Sequence, residues 1–183
     1  MSTFENRGHK GLLVIDVQNG VVANALNRES VIANINLLVD KARATQTPVI
    51  WVQHSDEGLI LESHEWEIVP ELHPSESEPI VRKNYRSSFE VTDLDQILEE
   101  KGIDHLLITG AQTDMCVRHT SHAALERGYD ITIIEDGHTT MDEPWDDGPI
   151  PSKTIIDEFN RSFHNYRLPG RSTTIATAES ITF

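Results

Sequence analysis

Cys116 is the single cysteine of the 183-residue chain, and it stands in "ITGAQTDMCVRHT" (108–120) between an apolar run and a helix-like run. A thiol attacks a carbonyl only as the thiolate, so the reaction needs a proton acceptor and a cation close by. Two residues far away in sequence supply those types. Asp16 ends "GLLVID" (11–16), and Lys83 ends "PIVRK" (79–83). The reference acidities of a carboxyl and a thiol differ by about 4.6 units, roughly 6 kcal/mol against moving the proton to Asp16. The expectation is therefore a dry site, with Asp16 raised by desolvation and Cys116 lowered by a helix N-terminus and by Lys83. A tight turn at Gly110 would let successive backbone N–H groups point inward, as a nest for a developing oxyanion.

The elements that must bring these residues together are legible as two alternating periodicities. Residues 11–16, 48–53, 79–83, 105–110, 131–136 and 172–177 are short apolar, β-branched runs. Most are continuous and not alternating, as in parallel strands covered on both faces. Helical patterns lie between them. Ser30 is expected to cap a helix with Ile32, Ile35, Leu38, Val39 and Ala42 at helical spacing, and Thr92 to cap "DLDQILEEK" with Gly102 beyond its end. Cys116 is expected to begin "CVRHTSHAALER", stopped by Gly128, and Ser152 to cap a helix with Ile155, Ile156, Phe159 and Phe163 on one face. The reading is α/β: one domain over 1–183, doubly wound, with a mostly parallel six-stranded sheet and helices on both faces. Ligands in such sheets bind at the carboxyl ends of the strands, where Asp16, Lys83 and Cys116 all fall.

Two stretches read as loops. Residues 56–78 carry eight carboxylates and no Lys or Arg, and 137–151 is "GHTTMDEPWDDGPIP". Each is either a rim of the site or a solvated connection. Around the three reactive residues, Gln18 is a candidate to bind substrate or order the site. Tyr85 and Phe89 are candidates to wall a pocket, and Arg86 or Arg118 to hold a substrate carboxylate.

Fifteen Lys and Arg against 30 Asp and Glu give a net charge of -15. That balance points away from nucleic acid and anionic membranes. No run approaches a membrane span, and the opening residues lack the apolar core of a secretory signal, so a cytoplasmic protein is expected. A lone cysteine excludes an internal disulfide framework.

From "LLVIDVQNGV" through "RKNYRSSFEVTDL" to "ITGAQTDMCVRHTSHAALERGYDITIIEDGHTT", nearly the whole chain resembles the isochorismatase-like cysteine hydrolases. That family includes nicotinamidases, N-carbamoylsarcosine amidohydrolases and ureidoacrylate amidohydrolases. The resemblance implies Asp16 of the D-x-Q motif as general base, Lys83 as its charge partner and Cys116 of "TDxCV" as nucleophile. It also implies a cis peptide between Ala111 and Gln112, with the N–H groups of Gln112 and Cys116 as the oxyanion hole, and a homodimer or homotetramer. Nicotinamidase-type members hold a divalent ion with an Asp-x-His pair at the end of the second strand. Here "WVQHSDEG" has His54 and Asp56 in reversed order, and His64 and His73 are scattered in the loop. No metal and no organic cofactor are expected.

The function expected from these features is hydrolysis of a C–N bond in a small amide or carbamoyl compound through a thioester. The alternatives are a vinyl-ether hydrolase of the isochorismatase type, a binding protein on the same fold, and a redox-sensing thiol. Asp16 and Lys83 weigh against the last two, since neither binding nor sensing needs a proton acceptor facing the thiol.

Overall fold

The structure, a computed structural model, describes residues 2–164 and 166–183. Its strands are β1 (His9–Ile15), β2 (Val49–His54), β3 (Ile80–Lys83), β4 (Ile103–Ala111), β5 (Asp130–Thr139), β6 (Arg167–Leu168) and β7 (Arg171–Ala176). They form one sheet in the order β3-β2-β1-β4-β5-β7-β6. All neighbours run parallel except β6 and β7. The sheet thus has seven strands and not six. The extra strand, β6, is two residues long and folds back through the turn at Gly170 (φ 69°), too short to show any periodicity.

The continuous apolar runs behave as parallel strands should. In β1, Leu12 and Val14 join one core while Leu13 and Ile15 join the other, and all four are buried. After the single-turn α1 (Asn19–Val22), helix α2 (Arg28–Ala44) covers the first face with Ile32, Ile35, Leu38 and Val39. The second face is covered by α3 (Leu94–Glu100), α4 (Arg118–Arg127) and α5 (Ser152–His164). Each large apolar side chain fully buried this way contributes about 1.5–3 kcal/mol, and Phe159 and Phe163 of α5 are among them.

Helix ends depart from the sequence reading at their N-termini. Helix α2 starts at Arg28, after Asn27 in the left-handed region (φ 55°), and Ser30 lies in its first turn, donating to the Asn27 carbonyl. Asp93, not Thr92, precedes α3. Ser152 is the first helical residue of α5, and its N–H and hydroxyl both donate to Asp142. Gly128 (φ 110°) closes α4 and Gly102 (φ 62°) follows α3, both as left-handed stops.

Two features of the fold bring the site together. Strands β1, β2, β3 and β4 end side by side, with Ile15 opposite both Val52 and Gly110, and His54 opposite Lys83. Gly110 (φ 115°) packs so closely on β1 that a Cβ there would stand 2.0 Å from the Ile15 carbonyl oxygen. Only glycine permits that approach, and it sets the turn carrying Cys116 against the end of β1 that carries Asp16. The acidic 56–78 segment forms no helix, but it is no solvated connection. Its backbone is bonded to the turn after β1, through Gly20 N to Glu65 O, Asn19 N to Glu67 O and Val69 N to Val17 O.

Candidate active site

Asp16 follows β1 in the left-handed region (φ 49°), a conformation that aspartate tolerates better than most residues. The twist turns its carboxylate inward, where it is wholly buried. Lys83 arrives from β3, two residues after buried Val81 and on the same side of the strand, so its side chain also enters the interior. Lys83 Nζ lies 2.6 Å from Asp16 Oδ2 and 3.3 Å from Cys116 Sγ. It also donates to the Tyr85 carbonyl at 3.1 Å. The three residues proposed from sequence are therefore brought into one cluster.

Cys116 does not begin a regular α-helix. It lies in a single π-helical turn, Thr113–Val117, that leads into α4. The amide groups of Met115 and Val117 both turn back to the Gln112 carbonyl. The peptide between Ala111 and Gln112 is cis.

Thr113 of this turn is tied down from below. Its hydroxyl meets Nδ1 of buried His138 at 2.9 Å, and His138 Nε2 meets Asn160 Oδ1 at 2.9 Å. Because the Asn160 oxygen only accepts, Nε2 carries the proton and Nδ1 accepts from Thr113. Burial pushes His138 down to about 4. Asp114 faces the neighbouring Thr140 hydroxyl, 2.7 Å away.

The electrostatics correct one expectation. Burial pushes the Cys116 thiol up to about 12, and the adjacent Asp16 carboxylate adds to the rise, outweighing Lys83. The low-pKa thiol expected from a helix N-terminus is not what the resting site holds. Asp16 is also raised above the usual carboxylate range, by burial first, with Lys83 and the thiol pulling against it. Among the described residues, neither Asp16 oxygen has a hydrogen-bond donor beyond these two neighbours. Carboxylate, ammonium and thiol thus stand in mutual contact at a buried position.

A cleft of about 600 Å³ opens onto this cluster. Asp16 and Cys116 form its floor with Gln112, and Val21, Leu59 and Met115 supply apolar wall. Tyr85 and Arg86 line it from the segment after β3, both exposed. Phe89 does not wall the pocket. It is buried in the core against Tyr129, with the Arg127 guanidinium over its ring.

Gln18 is wholly buried and spent on structure. Its Oε1 accepts from the His54 N–H, and its Nε2 donates to the carbonyls of His54 and Trp66. It locks the end of β2 to the acidic loop and leaves no group for substrate. Arg118 is also diverted, ion-paired to Glu158 with its guanidinium over Phe159.

His54, read from sequence only as half of an incomplete metal pair, has a different place here. Its Nδ1 lies 3.3 Å from Lys83 Nζ, and its Nε2 lies 2.9 Å from Asp56 Oδ2. An ammonium only donates, so Nδ1 accepts and Nε2–H donates to Asp56. Asp56 is further held by the N–H groups of Gly58 and Leu59, and its carboxyl lies below the usual range, His54 being the main cause. Both ring nitrogens are engaged, and among the described residues no group of three or more His, Cys, Asp or Glu side chains is placed to hold a metal. His64 is paired loosely with Glu67 on the surface. The signal available in sequence was position alone: His54 ends the strand next to the one that Lys83 ends.

A family model described as "Isochorismatase domain" matches residues 10–149. The isochorismatase family protein YddQ of Bacillus subtilis (strain 168) is 32% identical over 178 residues, spanning 92% of this chain and 96% of that one. Nicotinamidase 3 of Arabidopsis thaliana is 27% identical over 149 residues, spanning 72% of this chain and 74% of the relative. The crystal structure of an isochorismatase from Pseudomonas putida KT2440 superposes with a TM-score of 0.87 at 26% identity, covering 94% of this chain and 90% of that one.

Proposed function

Since the chain belongs to the isochorismatase family of hydrolases, we propose that it hydrolyses the C–N bond of a small amide or carbamoyl compound through a thioester on Cys116. The observation that carries this reading is the placement of Lys83 Nζ, 2.6 Å from Asp16 Oδ2 and 3.3 Å from Cys116 Sγ, beneath an open cleft. The nicotinamidase relative supports an amide as the bond type.

The resting site holds a neutral thiol and an ionised carboxylate against the ammonium. As Sγ attacks the carbonyl carbon, its proton passes to Asp16; burial raises the proton affinity of both groups, so the thiol gives up its proton only as its sulfur bonds to carbon. The negative charge moves from carboxylate to sulfur and then to the carbonyl oxygen. Lys83 stays beside it at each stage, so no uncompensated charge appears in the dry floor. The backbone N–H groups of Gln112 and Cys116 receive the oxyanion, each worth about 3 kcal/mol when preorganised. Collapse of the tetrahedral intermediate breaks the C–N bond, and Asp16 returns its proton to the leaving nitrogen. The thioester remains. Asp16 then takes a proton from water, hydroxide adds to the thioester carbon, and the C–S bond breaks to give the acid and the protonated thiol.

His54 acts behind this exchange. By accepting from Lys83 it keeps the ammonium aimed between carboxylate and sulfur, and Asp56 fixes the ring tautomer that can accept.

Ammonia release from a panel of small amides, ureas and carbamoyl compounds tests the reading. At least one compound should give enzyme-dependent ammonia that disappears in Cys116→Ala. No release from any member of the panel would count against C–N hydrolysis.

A further inference from the structure

Arg86 is the feature of the cleft that the chemistry above leaves unused. In a chain with twice as many acids as bases, Arg28, Arg43, Arg118 and Arg127 each pair with a carboxylate. Arg86 lines the cleft, yet among the described residues no hydrogen bond or ion pair engages its side chain. Its backbone is nonetheless held in place. Asn84 donates to the Ser55 carbonyl at 2.8 Å, the Tyr85 carbonyl accepts from Lys83, and the Ser88 N–H donates to the Thr120 hydroxyl at 2.9 Å.

The other charges of the cleft are already spent. Lys83 is committed to Asp16, and the oxygens of Asp56 face His54 and two N–H groups of its own loop. The carboxylates of Glu57, Glu62, Glu65 and Glu67 belong to the docked loop, but none of them lines the cleft. Among the described residues that line the cleft, the charged donors still open to a ligand are those of Arg86.

We infer that the substrate carries a carboxylate, bound by Arg86 at the mouth of the cleft while its amide or carbamoyl group lies over Cys116. A planar carboxylate matches one guanidinium through two parallel hydrogen bonds. A phosphate dianion would call for a second cation, and the described residues that line the cleft have none to give. The apolar wall of Val21, Leu59 and Met115 suits a short hydrocarbon spacer between the two ends. This inference rests on the hydrolase reading for the fate of the substrate but not for its recognition.

The test uses a thiol-directed probe whose charge alone varies, which the single cysteine makes clean. 3-Maleimidopropionic acid and its uncharged primary amide are compared for their rate of modifying Cys116, by intact mass, with glutathione as the reference thiol. Wild type should favour the acid by about tenfold over the glutathione ratio, the scale of one charge-assisted contact. Arg86→Gln should abolish the preference and Arg86→Lys should keep part of it. A ratio equal to that of glutathione, a ratio unmoved by Arg86→Gln, or no modification by either reagent would overturn the inference. In parallel, ammonia release is compared between succinamate or glutaramate and the matching diamides. Ammonia from diamides with no acid preference in labelling would sink the carboxylate and leave hydrolysis standing. Acid-selective labelling without ammonia from any amide would keep the carboxylate and count against hydrolysis.

Discussion

Lys83 Nζ stands 2.6 Å from Asp16 Oδ2 with both side chains wholly buried, an ion pair beneath the cleft. Such a pair is weak evidence of stability, because desolvating two charges offsets their attraction, but breaking it leaves a charge buried alone. Asp16→Asn and Lys83→Met should each destabilise the protein by about 3–5 kcal/mol, the asparagine being chosen because it tolerates the left-handed backbone at this position. The double variant should be more stable than either single variant. Urea unfolding of the four proteins measures this, and losses that simply add would show that the two groups are not coupled in the folded state.

His54 is expected to position Lys83 and not to bind metal. His54→Phe removes the acceptor and should lower kcat by about 100-fold, the cost of a small misplacement of reacting groups, with KM little changed. His54→Asn, which keeps a short acceptor, should recover part of the loss. Dialysis against a strong chelator should leave the wild-type rate unchanged, since both ring nitrogens are already engaged. Loss of activity on chelation, restored by zinc or manganese, would reassign His54 and Asp56 as ligands.

Buried His138 sets an acid limit on stability. Its folded value of about 4 lies below the ordinary 6.5, so the unfolded chain takes up the proton first as pH falls. The stability it contributes is complete above pH 6.5 and is lost as pH falls through 4, a total of about 3 kcal/mol. Urea midpoints between pH 7 and pH 4 should fall less steeply in His138→Gln than in wild type. Equal slopes would mean that His138 is not held neutral.

How much of this was readable in the residues differs by element. The apolar runs of β1, β2, β4 and β5 are buried on both faces, so their hydrophobicity is continuous and marks them plainly. The cluster of Asp16, Lys83 and Cys116 was legible because strand-end position and residue type coincide. Helix N-termini were not, because residues outside the local motif set them: Asp142 reaches Ser152 from ten positions away. Proximity in sequence suggests Phe89 as a pocket wall, and Gln18 as a substrate ligand or as a residue that orders the site. Tertiary packing sends Phe89 into the core and spends Gln18 on the acidic loop. The thiol's acidity departs from the sequence reading for a related reason: burial and the Asp16 charge outweigh Lys83, and neither burial nor distance is written in a motif.

If Cys116 carries the acyl group, acid quenching of a reacting mixture traps it there. With an amide that yields ammonia, intact mass and peptide mapping should find wild-type protein heavier by the mass of the substrate less ammonia, with the adduct on Cys116. Cys116→Ala should show no adduct and no turnover while unfolding cooperatively like wild type. Turnover in Cys116→Ala at a tenth of the wild-type rate or more would mean that the acyl group does not pass through Cys116.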